Sequence, residues 1–133
     1  MKSTKADMNA AVRFGQFLKA QRKKTGKTAR ITALEAGMQP SNYCRLEYGA
    51  LKAPQTKAKL ERLANAVGLV MGSEERRQFY DLAAQATNSV PIDLADIIMR
   101  DEAVPLMLRT LGNKKLTKAD IEKIVALVRG RKD

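Results

Sequence analysis

Ser41, Asn42 and Arg45 combine residue types and a spacing that suit the reading of nucleic-acid bases. If Tyr43 and Leu46, three apart on a helix, point inward, these side chains lie together outside, because neighbours at i+3 and i+4 share a helix face. Arginine matches guanine O6 and N7 as a bidentate fork, asparagine matches adenine N6 and N7, and serine reaches bases or phosphates. The remaining inventory narrows the chemistry. The 133 residues contain no His, no Trp and a single Cys, Cys44. The usual general base at neutral pH and the commonest metal ligand are absent, and one thiol makes neither an intrachain disulfide nor a cysteine zinc site. No nucleophile–base pair or Gly-rich phosphate loop stands out, so the expectation is no enzyme, no cofactor and no metal. Aromatic residues are 5 % of the chain, too few for a platform that stacks single-stranded bases.

Charge is distributed unevenly. The formal net charge is +11, and residues 1–60 hold 13 Lys and Arg against 3 Asp and Glu. Residues 61–100 are slightly acidic and residues 101–133 slightly basic. A cationic field concentrated in one portion of the chain fits a polyanion-binding surface, although solvated Lys-rich helix faces would produce it too. No window approaches 18 consecutive apolar residues, and the start, MKSTKAD, is polar; a cytoplasmic protein without a membrane span is expected.

The elements that must position these side chains read as helices almost throughout. Phe14, Phe17, Leu18 and Gln21 follow i, i+3, i+4, i+7, as do Leu60 to Val67, Phe79 to Ala86, Val104 to Leu111 and Ile121 to Val128. About eight helices and no strand are expected, an all-α fold. Gly26 closes the first helix and Thr28 caps the second, whose buried contributors are expected to be Ile31, Ala33 and Leu34. Gly37 supplies a left-handed turn, Met38 folds inward, and Pro40 starts the next helix with Gln39 at its cap position. Ser73 and the capping box Thr117-Lys-Ala-Asp120 open later helices. The charge shift places a soft boundary at about residue 71. Residues 8–70 then form one domain and residues 71–133 a helical extension.

Two short helices around a glycine, the second exposing such a triad among cations, describe a helix-turn-helix reader of the major groove. From about Phe14 to Leu69 the chain resembles the DNA-binding domain of the phage-repressor-like (Cro/repressor, or XRE) transcriptional regulators. The likeness rests jointly on Phe17-Leu18 and Arg22, Gly26, Ala33, Gly37, the run Arg45-Leu46-Glu47-x-Gly49, Pro54, Leu63-Ala64 and Val67-Gly68-Leu69. It implies a small repressor-like bundle with a C-terminal helical extension. It also implies a structural ion pair between Arg22 and Glu47, with Lys27 and Thr28 meeting a phosphate at the second helix's amino end. Tyr48 and Lys52, in the loop after the reader helix, would be further backbone contacts. Gln39, Ser41, Asn42 and Arg45 would read base edges. The chain departs from the family at Thr32, where Leu is usual, at Ala29, where a polar residue is usual, and at Pro40; Ile31 and Leu34 are expected to fill the space near Thr32.

Several side chains keep two readings. Lys23, Lys24 and Arg30 are phosphate contacts or solvated charges, with Arg30 counted among the contacts. Cys44 is a small packed residue or a redox-sensitive thiol, and Met1 to Lys5 a basic arm or a plain terminus. The apolar stripes behind residue 71 serve a homodimer, an intramolecular core, or the holding of a protein partner or a small ligand. The resulting expectation is a dimeric repressor of transcription on a palindromic double-stranded operator. An antitoxin-like protein that neutralises a partner and regulates its own operon is the alternative, and a basic helical RNA-binding protein a further one.

Overall fold

A computed structural model describes residues 5–98, 100–101 and 103–130, with side chains from Ala10 onward. The described residues form an all-α protein of eight helices: α1 (Lys5–Thr25), α2 (Ala29–Ala36), α3 (Pro40–Tyr48), α4 (Lys57–Ala66), α5 (Glu74–Thr87), α6 (Ile92–Ile98), α7 (Ala103–Gly112) and α8 (Lys118–Arg129). Most of the amino-terminal basic arm, Met1 to Thr4, lies outside them.

Local chemistry accounts for most of the boundaries. The hydroxyls of Thr28, Thr56, Ser73 and Thr117 accept from the backbone N–H three residues on, opening α2, α4, α5 and α8. At Thr117 the bond is reciprocated by Asp120, which completes the capping box. Gly37 and Gly49 close α2 and α3 at φ 71° and 75°, a left-handed conformation that costs glycine little.

The chain divides into two compact units, residues 1–95 and residues 96–133. The first extends past the composition shift near residue 71, because α5 belongs to the same core as the basic helices. Phe79 of α5 meets Phe14 of α1 with ring centroids 5.4 Å apart, and Tyr80 stands edge-on to Phe79 at 5.5 Å. Both phenylalanines are sealed from solvent, as are Leu18, Tyr43, Leu46 and Leu63. Composition responds to surface charge, whereas a domain ends where the packed interior ends.

Arg76 of α5 is 3 % exposed, and no carboxylate accompanies it among its hydrogen bonds. Its Nε donates to Tyr80 Oη (3.0 Å), and its Nη1 to Asn65 Oδ1 (2.8 Å) and the Leu69 carbonyl (2.9 Å). Neutral oxygens thus replace the water lost on burial, and the guanidinium ties the turn after α4 to α5.

In α2 the expectation of buried Ile31 and Leu34 fails. They are 48 % and 64 % exposed, whereas Thr32, Ala33 and Ala36 face the core. Helices α3 and α4 both pack against α2, and small residues let them approach. Thr32 needs no apolar neighbours to fill its place: it is itself wholly buried, its hydroxyl donating to the Thr28 carbonyl at 2.9 Å.

In the second unit no residue of α7 or α8 is buried. Their stripes remain open to solvent, with Leu106 and Leu127 among the most exposed apolar side chains.

Gly15, in the middle of α1, lies against the last turn of α3. A methyl there would press on the Leu46 carbonyl oxygen and stand 2.5 Å from that of Glu47. Mid-helix glycine normally costs about 1 kcal/mol relative to alanine, so the close helix contact outweighs the propensity. Gly15→Ala is expected to lower stability by about 1–3 kcal/mol in urea unfolding, the reverse of the usual Gly→Ala gain in a helix. Leu34→Gln, on the open face of α2, should change it by less than about 0.5 kcal/mol.

Candidate nucleic-acid interface

Helix α3 is oriented by what it buries. Tyr43 and Leu46 are sealed in the core. Its one carboxylate, Glu47, turns back to α1, where Arg22 Nε donates to Oε2 at 2.7 Å and Nη2 to Oε1 at 3.1 Å. The two side chains are only 14 % and 7 % exposed, so this bidentate pair is largely shielded from water. The hydrogen bond to Glu47 is the main cause that raises the Arg22 pKa above its ordinary value. Arg22 Nη1 also donates to the Lys27 carbonyl at 3.0 Å, so one guanidinium joins α1, the turn before α2 and α3.

Beside the pair, the buried Tyr43 hydroxyl meets no well-aligned hydrogen-bond partner, although Glu47 and Arg22 stand close to it. Burial pushes its pKa far up, and adjacent Glu47 acts in the same direction. The phenol therefore stays neutral and acts as a packing group.

With these residues inward, Ser41, Arg45 and Tyr48 follow one another along the outer face at i, i+4 and i+7, with Asn42 on its flank. All four are exposed, and the face carries no negative charge because Glu47 is turned away. Tyr48 is the last residue of α3 and 77 % exposed; it stands in line with Arg45 and not in the following loop as expected. Gln39 occupies the N-cap position but makes no side-chain cap bond, and Pro40 follows as the first helical residue. The Gln39 amide is thus left at the exposed start of the helix.

The residues expected to meet phosphates divide. Thr28 Oγ1 accepts from the Ile31 N–H at 3.2 Å, which leaves the amides of Ala29 and Arg30 at the amino end of α2 for an anion. Arg30 and Lys52 are exposed, Lys52 in the loop after α3. Lys27 differs from expectation: its ammonium donates to Glu35 Oε2 (2.6 Å) and the Ala66 carbonyl (3.2 Å), so its charge is occupied within the fold. Cys44 is a free thiol, half-buried on the flank of α3. Among the described residues no cluster of Cys, Asp and Glu could hold a metal ion, and no helix is long and apolar enough to cross a membrane.

Reading the sequence did not single out Gly15 or Arg76. An isolated glycine inside a helical pattern was a usable signal for the first. Arg76, in the run Glu74-Glu75-Arg76-Arg77, looks like any charged helix start by residue type; its place one turn before Phe79 and Tyr80, on the stripe that continues to Ala83 and Ala86, was the usable signal that separates it from exposed Arg77. Comparison with protein-family models, curated proteins and solved structures gave no match.

Removing one partner of the shielded pair strands the other. Glu47→Ala is expected to cost about 3–5 kcal/mol by chemical denaturation, and the apolar double replacement Arg22→Met, Glu47→Leu to recover most of it. Tyr43→Phe, which deletes an unpartnered hydroxyl, should leave stability within about 0.5 kcal/mol or raise it.

Proposed function

We propose that this protein is a sequence-specific double-stranded DNA-binding regulator of transcription, a cytoplasmic repressor of the phage-repressor-like kind that acts by occupying its operator. The observation that carries the reading is the outer face of α3. Two buried side chains and the Arg22–Glu47 pair hold the helix, and Ser41, Asn42, Arg45 and Tyr48 stand exposed on it without an opposing acid. That combination is what insertion into a major groove demands, since a carboxylate there would repel phosphates. Gln39, Ser41, Asn42 and Arg45 read base edges, with Tyr48 added at the far end of the face. Thr28, Arg30 and Lys52 take phosphates, together with the free amides at the start of α2. Lys27 contributes only by giving up Glu35.

One short reader helix covers few base pairs, so the protein acts as a homodimer on a palindromic site, its half-sites about one helical turn apart. A second reading has its own support. No residue of helices α7 and α8 is fully buried, and apolar faces of that kind end covered by a second copy or by another protein. In the antitoxin-like version they hold a toxin-like partner and DNA binding serves autoregulation. A stoichiometric partner of different sequence retained through purification favours that version; a dimer of this chain alone favours the first.

Selection from random duplex DNA is expected to enrich a two-fold symmetric consensus, and the absence of enrichment would sink the reading. Arg45→Ala should lose about 1–3 kcal/mol of discrimination at one position in each half-site. Lys52→Ala should weaken all sequences alike and lower the slope of log K against log salt by about 1, measured by titration at several salt concentrations.

A further inference from the structure

A groove of about 480 Å3 opens beside α3, between the 37–39 turn, the loop at 51–54 and the first turn of α4. Its size falls in the range of small-molecule sites. Buried Leu46 and half-buried Met38 and Pro54 give it an apolar floor, while the exposed Leu51, Gln39, Asn42, Lys52 and Lys59 line it further out. No acidic residue lines it, and neither lysine is in an ion pair with another described residue. Two ammonium groups and two amides over an apolar floor complement one ligand chemistry, an anionic head on an apolar body. A bare inorganic anion would satisfy the lysines but leave the floor wet, and a neutral apolar molecule would leave both cations unanswered.

We propose that this groove binds a small organic carboxylate with an apolar body, and that the bound anion competes with DNA. Three of its polar residues, Gln39, Asn42 and Lys52, are also assigned to the DNA. An anion bridging Lys52 and Lys59 therefore screens the loop from phosphate and covers the amides at the start of α3. Ligand and operator exclude each other by sharing side chains, with no change of fold needed. Binding rests on the groove alone, whereas the competition rests on the DNA reading above.

The test uses the full chain and 2-naphthoate as probe. Titration at constant ionic strength, followed by backbone amide signals, is expected to perturb residues 36–39 and 51–53. Lys59→Ala should weaken binding by about tenfold, and 2-naphthalenemethanol, the same body without charge, and inorganic phosphate should each bind about tenfold less well. Equal binding of the alcohol or of phosphate, an unchanged affinity in Lys59→Ala, or perturbation confined to residues 103–129 overturns the site. In the second arm, saturating 2-naphthoate is expected to release duplex DNA from the protein; retention of the DNA overturns the competition. Lys59-dependent binding of 2-naphthoate in protein that holds no duplex DNA at all upholds the groove and sinks the DNA reading instead.

Discussion

The direction in which α3 presents its outer face depends on how closely this helix approaches α1. Gly15 removes the side chain that would hold the helices apart, so the carbonyls at the end of α3 rest directly on α1. The approach is mutual, because Gly49, just after α3, lies against the backbone of Val12. At the other end of the contact Arg22 grips Glu47. Steric closeness sets the distance and the bidentate ion pair sets the rotation, so the outer face of α3 has one direction in which to point.

Buried polarity in this protein is used to join elements. Arg22 links α1, the turn at Lys27 and α3, while Arg76 links the turn after α4 to α5 and to Asn65. Each guanidinium is planar and multidentate, and so fixes several backbone segments at once. The two solutions differ in kind. Arg22 faces a carboxylate, whereas Arg76 is surrounded by neutral oxygens with the Tyr80 ring 5.6 Å from its Cζ. Replacing one buried charge by a neutral group carries a different cost at each site, since only Arg22 leaves a stranded anion behind.

The charge pattern acquires a structural sense. The acids of α2 and α3, Glu35 and Glu47, are each taken by a cation from another segment, Lys27 and Arg22. The positive potential of Arg30, Arg45 and Lys52 is left unopposed on the surface. Acids come together instead at Asp81, whose pKa is raised by partial burial and by neighbouring Asp93 and Glu74. An uneven distribution of charge of this kind is what the proposed DNA binding would draw on, since it orients a polyanion as well as attracting it.

Much of the fold was legible in the sequence because its signals are local. Helix periods appear as apolar spacing, caps as Thr and Ser, and the turns at Gly37 and Gly49 as glycines that tolerate positive φ. The pair Tyr43 and Leu46 likewise fixed which way Ser41, Asn42 and Arg45 would face, since a helix has only one opposite side. What remained hidden required knowing the neighbours. Ile31 and Leu34 read as core because they are large and apolar, but the space over α2 admits only Thr32, Ala33 and Ala36. Lys27 read as a free cation until Glu35 and the Ala66 carbonyl came within reach of it. Arg76 falls on the Phe79 face of α5 and Arg77 does not, but only the Asn65 side chain and the Leu69 carbonyl, brought in from α4 and the turn after it, show how a guanidinium can be buried there. Sequence by itself determined the helices, their ends and the candidate reader face. Tertiary structure alone decided which charges are spent inside the fold and where the first unit stops, because both depend on contacts between residues far apart in the chain.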